Sequence, residues 1–301
     1  MGGMSGMKRA LPYLAVFVIA VTASVGALGF SDWPAGYALR YGLWQLSGQG
    51  KEREYSSDDA RLHYVEAGSG PPLLLLHGGG GNRDSFFAQL PFLARHFHVY
   101  ALDSRGHGRS EHGNGSLSYE RYADDVYALL EQRHIARADL IGWSDGGNTG
   151  LVLAVAHPES ICRMVVIGAN FHPSGLIENP QSPPEPPHEW SSELAQDLYD
   201  LLLGRDEAKS PSDDELEELW ATGPDLTPTA LHHISAPVLV VGGEYDLVDR
   251  SHLIATQQAI PGARLEIFQG VGHSLIQDVP AKVNKALRKF LLDHDGRPRP
   301  C

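Results

Sequence analysis

The 301-residue sequence predicts an α/β class, with a mainly parallel sheet flanked by helices and a helical lid inserted past its middle. Two observations predict it. From residue 62 onward, short apolar runs alternate with amphipathic stretches, the pattern of successive βα units. That alternation is interrupted once, from Phe171 to Ser235, by the proline-rich PQSPPEPPHEW and the acidic helical stretches WSSELAQDLYDLLLG and SDDELEELWA. No internal repeat is visible, and the chain is long enough to bury a sizeable core.

In order, strands are expected at RLHYVEAG, PPLLLLHG, HVYALD, DLIGW, RMVVIGA, PVLVVGG and RLEIF. Helices are expected at SFFAQLPFLARH, YERYADDVYALLEQRH, GGNTGLVLAVAHP, SHLIATQQAI and PAKVNKALRKFLLD. The strands after Ser235 are too few to build a sheet of their own, so the interruption reads as an insertion and not as a linker between two domains.

The N-terminal part follows different rules. Lys8 and Arg9 precede about 20 mostly apolar residues without a charge, closed by small residues up to Gly29. This predicts an export signal or an uncleaved membrane anchor over residues 1–29, and hence a periplasmic, secreted or membrane-anchored protein. Trp33, Tyr37, Tyr41 and Trp44 come next, and such aromatic residues suit a membrane interface. Residues 30–59 are expected as a linker, 60–293 as the main domain with its lid at about 171–235, and 294–301 as a tail.

Composition excludes several functions. A net charge of −13, with cations gathered only at Lys8–Arg9 and thinly near the C-terminus, argues against a nucleic-acid partner. Two cysteines, Cys162 in an apolar run and Cys301 at the last position, make no disulfide framework, and Cys162 reads as a buried core thiol. Metal-ligand spacings such as CxxC and HExxH are missing, and His96, His98, His232 and His233 read as surface or helix-end residues. Neither metal nor cofactor is expected.

The chemistry is carried by LIGWSDGGNTG, residues 140 to 150. A serine after an apolar run makes a poor strand residue and Gly146 and Gly147 make poor helix residues, so a tight backbone geometry is being served. G-x-S-x-G between strand and helix is a sharp turn that lifts the serine hydroxyl to the carboxyl edge of a parallel sheet, which nominates Ser144 as a nucleophile. A serine needs a base, and the base needs a carboxylate to fix its tautomer and stabilise its positive form. Asp246 in VLVVGGEYDLVD and His273 in FQGVGHSL stand just past late strands, in the required order, with Asp246 preferred to Asp249 because it lies nearer the strand end. The glycines of LLLLHGGGGN place backbone amides beyond another strand, where Gly79, with the amide of Asp145, can stabilise the oxygen of an attacked carbonyl.

With HGGGGN, DSRGHGRS, GWSDGG, GGEYD and GVGHS, the chain from about residue 60 to 293 resembles the α/β-hydrolase fold family. The resemblance implies Ser144 as nucleophile, Asp246 as acid, His273 as base, Gly79 and Asp145 as oxyanion amides, and structural roles for Asp103, Arg105 and His107. GWSDGG is similar to the form found in small-ester hydrolases, including those of amino-acid esters. Serine at the turn argues against the dehalogenases and epoxide hydrolases of this fold, which use aspartate there.

The expected function is a serine hydrolase of a small carboxylic ester. An aminopeptidase or amidase, a carbon–carbon bond hydrolase and a non-catalytic ligand-binding protein on the same fold are the alternatives. Trp190, Leu198, Leu201 and Trp220 are the apolar lid candidates for closing the acyl pocket, with Trp190 and Trp220 singled out as substrate-binding. Asp145 is a further substrate-binding candidate, for a positively charged group, because a sheltered carboxylate beside the reacting carbon is little screened.

Overall fold

The structure, a computed structural model, describes residues 34–183 and 209–301. Its eight strands are β1 (Gly50–Ser57), β2 (Ala60–Gly68), β3 (Pro72–Leu76), β4 (His98–Leu102), β5 (Ala138–Trp143), β6 (Ile161–Ile167), β7 (Val238–Tyr245) and β8 (Arg264–Gly272). They form one sheet in the order β1-β2-β4-β3-β5-β6-β7-β8. Antiparallel pairing is confined to β1 with β2 and β2 with β4; from β4 to β8 every neighbour is parallel. A parallel sheet needs a crossover between successive strands, which is why helices cover both faces.

Period-two alternation sorts the strand residues between two apolar layers. On β3, Leu74 and Leu76 face one layer and Leu73 and Leu75 the other; on β6, Met164 and Val166 oppose Val165 and Ile167. The first layer is completed by α2 (Tyr119–Gln132), α3 (Asp145–Ala156) and α5 (Arg250–Ala259), the second by α1 (Pro34–Leu46) and α6 (Pro280–Leu291). Each fully buried leucine contributes roughly 1.5–3 kcal/mol. The lid contributes α4 (Asp213–Thr222), which starts with a capping box between Ser212 and Glu215.

Four expectations are corrected. The linker assigned to residues 30–59 is, from Pro34 on, α1 and β1, and the sheet therefore begins before residue 60. Ala38, Tyr41 and Trp44 are buried against Val65, Leu73 and Phe87, so Tyr41 and Trp44 are core residues, while Tyr37 is only partly buried. The helix expected over SFFAQLPFLARH is two short turns, Arg83–Phe86 and Leu90–Leu93; Pro91, which has no N–H to donate, stands at the start of the second. Cys162 is not a free thiol but is disulfide-bonded to Cys301. The tail reaches it because Arg163 donates to the carbonyls of Arg299 and Pro300, and Leu292 bridges Pro298.

The export or anchor segment, Trp33, the first lid helix and its Trp190, Leu198 and Leu201 lie outside the described residues. Among the described residues, no helix is long and apolar enough to cross a membrane.

Candidate active site

Ser144 sits between β5 and α3 with φ 54° and ψ −122°, a left-handed conformation that side chains other than glycine rarely adopt. The flanking glycines explain how the turn closes. A Cβ on Gly142 would collide with the Gly146 carbonyl, and one on Gly146 with the Leu76 carbonyl of β3. The apolar strand and tightly packed helix start thus hold the hydroxyl at the carboxyl edge of the sheet.

His273 follows β8 and places Nε2 2.9 Å from Ser144 Oγ, while its Nδ1 lies 2.6 Å from Asp246 Oδ1. An ionised carboxylate only accepts, so Nδ1 carries the proton and Nε2 is left to accept from the serine hydroxyl. Asp246, just beyond β7, is buried; burial pushes its pKa up. Hydrogen bonds from His273 and from the amides of Gly243 and Val248 outweigh that effect and hold the carboxyl below its usual range. Asp249 does different work, capping α5 by accepting from the Ser251 amide at 2.7 Å. Trp143, which sequence reasoning passed over, donates its indole N–H to the His273 carbonyl at 3.0 Å and ties the histidine loop to the serine turn.

Gly79 and Asp145 abut: a Cβ on Gly79 would run into Asp145 Oδ2. Neither backbone amide has an acceptor among the described residues. The glycine loop is fixed from both sides by neutral histidines. His107 Nδ1 donates to the Arg105 carbonyl and Nε2 accepts from the Gly80 amide at 3.2 Å; burial pushes its pKa down to about 3. His77 Nδ1 donates to the Gly78 carbonyl and Nε2 accepts from the Ser104 amide, and burial lowers its pKa also. Asp103 and Arg105 are buried ion-pair centres, with Arg83 and Asp125 respectively, consistent with support of this loop.

The Asp145 side chain is buried beneath the lid. It accepts from Tyr119 Oη at 2.8 Å and from Trp220 Nε1 at 3.1 Å, and burial raises its pKa. The structure thus brings the lid tryptophan Trp220 against Asp145 and Gly79; nothing in the sequence near Tyr119 signals its part. Of the described lid acids, Glu178, Asp213, Asp214, Glu217, Glu218 and Asp225 are exposed and Glu215 is half-buried.

A serine–histidine–carboxylate chain at the carboxyl edge of a parallel sheet, beneath a helical lid, defines a hydrolase class of α/β protein. Comparison agrees. Residues 71–211 match the model of the alpha/beta hydrolase fold family. The human protein named serine hydrolase BPHL is 30% identical over 77% of this chain and 83% of its own. A 2-hydroxy-6-oxo-6-phenylhexa-2,4-dienoate hydrolase of Comamonas testosteroni is 30% identical over 80% and 94%. A solved hydrolase from Pseudomonas aeruginosa PA01 superposes with TM-score 0.66 at 26% identity, covering 80% of this chain and 98% of its own. The chain belongs to the α/β-hydrolase fold family.

Proposed function

We propose that the protein is a serine hydrolase of small carboxylic esters that works through an acyl-enzyme. The observation that carries the reading is the continuous hydrogen-bonded chain from Ser144 Oγ through His273 to Asp246. As Ser144 Oγ attacks the carbonyl carbon, His273 Nε2 takes its proton, and buried Asp246 stabilises the imidazolium. The Gly79 and Asp145 amides receive the negative oxygen, an interaction in which each donor is worth roughly 3 kcal/mol of barrier. His273 returns the proton to the departing alcohol, and a water activated by the same nitrogen then cleaves the acyl-enzyme.

Asp145 narrows the substrate. Its two side-chain donors, Tyr119 and Trp220, are neutral, and no ion pair to it exists among the described residues. A buried carboxylate so placed favours a substrate with a positive group near the scissile carbonyl and disfavours an anionic one, such as the dienoate on which the Comamonas relative is named to act. This ranks an α-amino ester above the substrate of a carbon–carbon bond hydrolase. Exposed Leu176, Ile177 and Leu247, on segments bordering Asp246, offer apolar contact to the rest of the molecule.

Export also remains part of this reading. The Cys162–Cys301 disulfide supports it, since such bonds persist in oxidising compartments. Native protein whose N-terminus is intact and which fractionates with the soluble cytoplasm would overturn it.

The activity is tested on a panel of α-amino esters, their neutral isosteres, aminoacyl amides and vinylogous diketones. The reading predicts a burst of alcohol release on esters and a higher kcat/KM for the α-amino ester, with the preference reduced in Asp145→Ala. Turnover of the diketone alone would assign the site to carbon–carbon bond cleavage.

A further inference from the structure

We propose that the groove between α1 and α6 binds the headgroup of an anionic phospholipid and seats this face of the protein on a negatively charged bilayer. The groove encloses about 830 Å³ and is separate from the serine site in its lining residues. Its walls carry Arg40, Arg95, Lys285 and Arg288 together with the rings of Tyr37 and Phe92. Among the described residues, none that lines the groove is an Asp or Glu.

This gathering of cations runs against the molecule, whose net charge is −13. Arg95, Lys285 and Arg288 are exposed, and none has a carboxylate partner among the described residues. The helix α6 adds Lys282 and Lys289 and contains no acid at all. Cations in the last turn of a helix complement its dipole, which accounts for Arg288 and Lys289. It does not account for Lys282 in the first turn or Lys285 in the middle of the helix, nor for Arg95 and Arg40 across the groove. Because Val283, Leu287 and Phe290 are already buried in the core, α6 meets the membrane with its cationic face and not by inserting an apolar one.

The chemistry of the walls selects the ligand. Arginine and lysine heads recognise a phosphodiester, and their aliphatic stems together with aromatic rings suit the glycerol and upper acyl region of the same lipid. Arg40, 4.2 Å above the Tyr37 ring, already shows such a combination within the groove. The occupant also agrees with where the chain comes from. The apolar run expected as a signal or anchor ends shortly before α1, which forms one wall. The proposal thus deepens the N-terminal reading without needing the segment to stay attached.

The experiment measures partition of the full chain onto vesicles of phosphatidylcholine alone and of phosphatidylcholine with phosphatidylglycerol, for wild type and for the triple variant Arg95→Gln, Lys285→Gln, Arg288→Gln. Binding to neutral vesicles reports the N-terminal segment; the preference for anionic ones reports the groove. Wild type should prefer anionic vesicles, and the triple variant should lose about a hundredfold in that preference, with turnover of a soluble ester unchanged. Equal partition of wild type onto both vesicles, or an undiminished preference in the variant, overturns the proposal. So does inorganic phosphate protecting wild type against thermal unfolding as well as the anionic vesicles do, which would make the groove a small-anion site. A change of oligomeric state in the variant without loss of lipid preference would give the groove to a second copy of the chain.

Discussion

At the scale of single residues, two aspartates three positions apart have opposite fates. Asp246 is buried against His273, whereas Asp249 caps α5. Asp246→Asn leaves the imidazole in the wrong tautomer and should lower kcat by about ten-thousandfold. Asp249→Ala should leave kcat within a few-fold and cost about 1 kcal/mol of stability through the lost cap; the reverse ranking in steady-state kinetics would exchange their roles. His252 supplies a pH test. Burial, with a repulsive contribution from His172, pushes its pKa from 6.5 down to about 4, and its Nε2 accepts from the Phe171 amide. A depressed histidine pKa means that the unfolded chain binds the proton more readily. Its contribution to stability is therefore complete above pH 6.5 and is lost progressively as the pH falls from there to about 4. Between neutral pH and 4.5, denaturant titrations should show wild type losing about 2–3 kcal/mol more than His252→Gln, whose amide oxygen can still accept the Phe171 N–H. Parallel profiles would contradict this assignment. That Ser144, Asp246 and His273 belong to one site was legible because each is announced by local residue types at a strand end, and the structure joins them by hydrogen bonds. Tyr119, His77 and Trp143 were not legible, because their partners are brought to them only by the folded sheet.

At the scale of elements, the parallel strands were readable because burial on both faces demands unbroken apolar runs. β1 was hidden for the complementary reason. As an edge strand it buries only Tyr55 and Ser57 and exposes the charged run Lys51, Glu52, Arg53 and Glu54, which also protects the edge from further pairing. α1 was hidden by its neighbours, since aromatic residues after an apolar segment suit a bilayer interface and a protein core equally well. The lid helix α4 is tied to the site through the Trp220 indole N–H on Asp145. Trp220→Phe retains a ring over Gly79 and removes that bond. A net loss of about 1 kcal/mol follows, and amide exchange in α4 should quicken about fivefold. Exchange that is unchanged would mean that the lid is held by other contacts.

At the scale of the whole molecule, the disulfide joins residues 139 apart in sequence and fastens the tail to the start of β6. Sequence alone could not pair these cysteines, because the approach of Cys301 depends on Arg163, itself held by Asp139, gripping the last carbonyls. Closing so long a loop restricts the unfolded chain by up to about 5 kcal/mol. Cys301→Ser should lower the free energy of unfolding by about 2–5 kcal/mol, and reductant should bring wild type to the same value. A difference below about half a kcal/mol would show the bond to be thermodynamically idle.

The central claim is that the fold activates Ser144 as a nucleophile through His273 and Asp246. The most direct measurement is covalent labelling with a fluorophosphonate followed by peptide mass mapping. One equivalent of phosphonyl adduct should form on Ser144 in wild type, with none in Ser144→Ala and labelling slowed at least a thousandfold in His273→Ala, of the order lost when one member of such a triad is removed. Adduct on another residue, or labelling of Ser144→Ala at the wild-type rate, would contradict the account.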